Sequence, residues 1–154
     1  MGEFAMFARI MRSVWRNNEG SALVEATVLV PVFCLLVFGV FEFSWIFDRQ
    51  HLISTGVQDA ARYLARASTP TDATLKTYAQ NLAVTGSTDG SQPLRVAGWV
   101  ASNVTISFPA TEIVQVSTTF TVPQFGFFGF LGLTPPALTV SHQERTGILI
   151  KDAP

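Results

Sequence analysis

An uncharged run from Ala26 to Phe41 constrains this chain more than any other feature. Its 16 residues would make a helix about 24 Å long, at roughly 1.5 Å per residue. Continuing through Ser44, Trp45, Ile46 and Phe47 brings it into the length that a bilayer crossing needs. A buried soluble helix is rarely apolar on every face for so long in a chain of 154 residues. Trp45 would sit at the far interface, where aromatic rings are favoured. Glu42, near the same edge, is expected to reach lipid headgroups or to pair with Arg49. A secretory signal peptide shares the order of basic tail and apolar run, but this run is long for one and no small-residue cleavage site follows it. No second run approaches roughly 18 apolar residues, so a single crossing is expected.

The run also accounts for the composition. Hydrophobic residues make up 48% of the chain and charged residues 14%, against about 25% charged in an ordinary soluble domain. Most of that bias lies between Ala22 and Phe47. A net charge of −1 provides no basic field for nucleic acid. Cys34 is the sole cysteine and lies inside the run, so an intrachain disulfide and a cysteine metal cluster are both excluded. His51 and His142 are the only histidines. There is no H-E-x-x-H pair, no nucleophile elbow and no phosphate-cradling glycine loop. The residues therefore point away from an enzyme and call for no metal and no cofactor.

One acidic residue stands at the head of the run. A carboxylate deep in a bilayer costs on the order of 2.5–3.5 kcal/mol, less near the edge, where Glu25 is expected. Gly20 precedes it by five residues, and a tail carrying Arg9, Arg12 and Arg16 precedes Gly20. A cut between Gly20 and Ser21 would give Ser21 a free ammonium about one helical turn from Glu25, on the same or a neighbouring subunit. On position alone, a Glu that merely snorkels into headgroups is an equal reading. Pro31, inside the run, removes one helical hydrogen bond and is a candidate kink. The arginines on the two sides of the run nearly balance, so the positive-inside rule leaves orientation open. A cytoplasmic N-terminus is expected because the tail is short and the domain beyond is the larger body.

Beyond the run, Ile53, Val57, Ala60 (or Ala61), Leu64 and Ala67 recur at helical spacing, with Gln58, Asp59, Arg62 and Arg66 on other faces. The pattern predicts one helix from Ser21 to Ala67, first transmembrane and then amphipathic, ended by Ser68-Thr69-Pro70. A second helix is predicted over about 71–84, stopped by Gly86. Strands are predicted over 94–100, 104–108, 113–122 and 138–150, with Pro109-Ala110-Thr111 joining a hairpin. The expected fold is α+β and membrane-anchored, with the long N-terminal helix packed on a small antiparallel sheet in a pilin-like arrangement. Its expected parts are a basic leader (1–20), a transmembrane helix (21–47) and an α+β domain (48–154).

Between Gln124 and Pro136, Phe125, Phe127, Phe128 and Phe130 alternate with glycines. This stretch is too short and too glycine-rich to span a membrane. It reads either as a loop tucked over the sheet or as an interaction patch for membrane or another subunit.

Three stretches together carry a resemblance. Gly20-Ser21-Ala22-Leu23-Val24-Glu25-Ala26 looks like a type IV prepilin processing site, with Glu at the fifth mature position. The stretch around Pro31 with Phe38-Gly39-Val40-Phe41-Glu42-Phe43, and then Gln58-Asp59-Ala60-Ala61-Arg62-Tyr63-Leu64-Ala65-Arg66, resembles the TadE-like family, pseudopilins of the tight-adherence pilus system. The likeness covers roughly residues 18–67. It implies a minor pilin or pseudopilin of an adhesive pilus, with Gly20 and Ser21 flanking a prepilin-peptidase cut and Glu25 governing subunit docking. Implied partners are the peptidase, other pilins or pseudopilins, the inner-membrane assembly platform and the lipid bilayer. The implied location is the bacterial inner membrane, with a cytoplasmic N-terminus and a periplasmic C-terminal domain. One residue departs from the pattern: processed members often carry Tyr after the Glu, where this chain has Ala26. The competing reading is a signal-anchored periplasmic binding or sensor domain whose N-terminal segment is an uncut tether.

Overall fold

A computed structural model describes residues 19–123, 126–147 and 150. The arginine tail, Phe125 and residues 148–149 of the last expected strand lie outside the described residues. The chain divides into two compact units at Phe41/Glu42. Helix α1 runs Glu19–Ala65 and continues through Pro31. Within the first unit α1 is the only described element. Nearly every side chain from Gly20 to Phe41 is exposed among the described residues.

The second unit is α+β. The later part of α1 turns Ile53, Val57, Ala60, Ala61 and Leu64 to a common core, at the spacing that places residues on one helix face. Helix α2 (Ala73–Thr85) adds Ala79, Ala83 and Val84. Its start is fixed by Asp72, whose carboxylate accepts the Thr74 and Leu75 N–H groups at 2.8 and 3.1 Å. Its end is fixed by Gly86, at φ 83°, whose N–H bonds the Leu82 carbonyl.

A 3₁₀ turn (Ala101–Asn103) leads into three strands, β1 (Val104–Ala110), β2 (Ile113–Thr121) and β3 (Ala137–Arg145). They form an antiparallel sheet in the order β1-β2-β3. Val116 faces Ile106 on one side and His142 on the other. Val104, Val114 and Val116 turn to the helices. Thr119, Thr139, Gln115 and Gln143 line the opposite face, paired across the strands at 3.2 and 2.7 Å. Pro109 falls where the β1–β2 register shifts, an edge position that needs no ladder N–H.

The strand expected over 94–100 does not form. Val96 and Trp99 are both buried, a three-residue spacing that a strand cannot turn to one side. Gly98 at φ 81° bends the chain between them. Trp99 plugs the core, its indole N–H donating to the Thr118 hydroxyl at 3.0 Å while that hydroxyl donates to the Asn103 carbonyl at 2.8 Å. Gly56 lets α1 approach α2: a Cβ there would lie 2.3 Å from the Ala83 carbonyl oxygen and 2.9 Å from Trp99.

Candidate membrane and assembly site

In the first unit, Gly20, Ser21 and Glu25 occupy the opening turns of α1 and are all exposed. Among the described residues nothing comes within 4 Å of a Cβ placed on Gly20. Ser21 and Glu25 are four residues apart, so their side chains project from one face. Two residues beyond Glu25, the Thr27 hydroxyl donates to the Leu23 carbonyl at 2.7 Å. Pro31, inside the helix, has no N–H for the Thr27 carbonyl, yet α1 goes on without a break.

The second unit holds an acidic residue whose role the sequence did not disclose. Glu42 is wholly buried. Rather than facing headgroups, its Oε2 accepts the Phe127 N–H at 3.2 Å. Around this bond the segment after β2 is strapped to α1. The Phe43 ring meets the edge of Phe128 at 5.9 Å, and the Trp45 indole N–H donates to the Pro123 carbonyl at 3.1 Å. Arg49 lies 3.8 Å above the Trp45 ring and within 3.8 Å of Asp48, a cation–π arrangement.

A four-residue helix, α3 (Phe127–Phe130), forms within the strap. Phe127 and Phe128 are half-buried, whereas Phe130 is 79% exposed. The expected patch is thus divided: Phe128 holds the strap down and Phe130 faces outward. The local signal for Glu42 is faint. It is the only anion between Glu25 and Asp48, and a Gly-flanked turn downstream needs an acceptor for its first N–H groups.

A third feature is an open groove of about 690 Å³ lined by Asp59, Arg62, Tyr63, Arg66, Leu75 and Leu82. Asp59 accepts Arg95 at 2.7 Å. Arg62 lies 3.4 Å from Glu144, which also meets His142 Nε2 at 3.0 Å. The His142 bond, helped by Arg62, holds the Glu144 carboxyl below its ordinary value of 4.5 against a smaller opposing effect of burial. Among the described residues no three His, Cys, Asp or Glu side chains are grouped to hold a metal ion.

Gly20–Ala65 of α1 is long and apolar enough to cross a membrane. Residues 20–62 match the family model described as TadE-like protein. This segment is TadE-like. The match starts at Gly20, takes in Glu25, Pro31 and Glu42, and stops short of α2 and the sheet. The match covers 43 of the 154 residues, so it likens this segment, and not the whole chain, to that family. No match was found among curated proteins or solved structures.

Proposed function

We propose that this chain is a minor pilin or pseudopilin of a tight-adherence pilus. A prepilin peptidase cuts it between Gly20 and Ser21, and it acts as a structural subunit. The observation that carries this reading is the TadE-like match over residues 20–62, which opens on the glycine of the proposed cut. The chain sits in the bacterial inner membrane with its N-terminus in the cytoplasm and its second unit in the periplasm. The liberated Ser21 ammonium, on the same or an adjacent subunit, neutralises Glu25. That pairing offsets a carboxylate desolvation cost on the order of 2–3 kcal/mol and sets the axial register in which subunits dock.

Glu25→Ala tests this pairing. The variant inserts into the membrane as well as the wild type, or better, because it carries no anion into lipid. Surface pili, counted by electron microscopy in cells that depend on the variant, fall by at least tenfold. Normal piliation in that strain removes the docking role.

A further inference from the structure

The strap carries a second apolar surface. Beyond Phe128 the chain turns Phe130, Leu131 and Leu133 outward, 79%, 43% and 52% exposed. Three observations bear on what covers them.

The first is place. The strap is fastened to Glu42, Phe43 and Trp45, just beyond the uncharged run that ends at Phe41. Trp45 with Arg49 stacked on it is the pairing expected at a membrane interface. The second is charge. No Asp, Glu, Lys or Arg occurs between Glu112 and Glu144, so the outward side chains have no charged neighbours along the strap to desolvate.

The third is the backbone. Phe127 N–H is taken by Glu42. The N–H groups of Phe130, Leu131, Gly132 and Leu133 bond the carbonyls of Gly126, Phe127, Gly129 and Phe128 at 2.8–3.1 Å. A coil with these N–H groups already bonded can enter the headgroup region without stranding them. Glycines at 126 and 132, with φ of 121° and 68°, allow so tight a coil.

We infer that the coil at residues 126–133 is a second membrane contact. Phe130, Leu131 and Leu133 insert among the headgroups and upper acyl chains of the leaflet into which the Trp45 end of α1 emerges. Glu42 is the positioning residue that holds the coil against the helix at that level. The inference rests on the membrane-anchored reading of α1. The coil is fastened beside Trp45 and its stacked Arg49, an interfacial pairing, and this favours lipid over a second subunit.

The test uses the full-length chain with Cys34→Ala, reconstituted in phosphatidylethanolamine–phosphatidylglycerol vesicles. A nitrobenzoxadiazole label is placed at Phe130→Cys, and separately at Leu133→Cys, Thr139→Cys and Val37→Cys. Thr139 is exposed on the polar face of β3 and serves as the aqueous reference. Val37 lies in the span and serves as the lipid reference. Both coil labels should be blue-shifted, several-fold less quenched by iodide than the Thr139 label, and quenched by lipids bearing a nitroxide high on the acyl chain. This pattern should persist when protein is diluted in lipid.

Coil labels as open to iodide as the Thr139 label overturn the inference. So do labels that are shielded only at high protein density and untouched by nitroxide lipids, which would assign the coil to subunit contact. A Val37 label that lipid nitroxides fail to quench sinks the membrane-anchored reading and the inference with it. Two coil positions guard against a local folding defect, since both side chains are already exposed.

Discussion

The Glu42 carboxylate is enclosed and bonded to the Phe127 N–H, whereas that of Glu25 stands exposed on the first turns of α1. The same residue type therefore serves two ends. One holds two parts of a single chain together, and the other, on the proposed reading, awaits a counter-charge from processing. A third carboxylate, Glu144, gives a titratable handle on the second unit. Its folded-state pKa lies below the ordinary 4.5, chiefly through His142 and then Arg62. Folding thus favours the ionised form. The contribution is complete above pH 4.5 and is lost as pH falls through the lowered value. Glu144 is about a third exposed, so the effect is that of a surface pair, within about 1 kcal/mol. Glu144→Gln should flatten the acid limb of melting temperature against pH while leaving the neutral side lowered only slightly. An acid limb as steep as the wild type's would show that other carboxylates carry it.

At the scale of elements, the crossing of α1 and α2 depends on Gly56. Replacing a helical glycine by alanine ordinarily gains about 1 kcal/mol of helix propensity. Here the new Cβ would stand 2.3 Å from a backbone carbonyl oxygen of α2, which cannot swing aside as a side chain can. Overpacking of this kind costs about 1–3 kcal/mol or more, so the clash should win. Gly56→Ala is expected to lower stability by up to about 2 kcal/mol, the clash less the propensity gain, measured by denaturant unfolding in detergent. A stabilised variant would mean the two helices are not so close. The legibility of the elements follows the same physics. α1 could be read because its apolar residues keep helical spacing past Gly56. The hairpin of β1 and β2 could be read because Val104, Ile106, Val114 and Val116 alternate with polar residues. The segment 94–100 looked like a strand because it is mostly apolar, but a bend at Gly98 carries Trp99 into the core, where its indole N–H finds the Thr118 hydroxyl. α3 and the burial of Glu42 were illegible for a related reason. Each is created by a partner 85 residues away in sequence, and neither leaves a periodic trace.

For the molecule as a whole, the two units carry different parts of the account. The second unit is an α+β body with its own core, built from residues whose patterns declare it. The first is a helix with its apolar side chains uncovered, and the family match spans this helix and its continuation rather than the sheet. The proposed pilin role therefore stands on whether the helix begins a new N-terminus at Ser21. Intact-mass determination of the chain purified from membranes of piliated cells tests this most directly. The account predicts a species beginning at Ser21, and its loss when the prepilin peptidase is deleted. A chain that keeps residues 1–20 in cells bearing normal pili would contradict it.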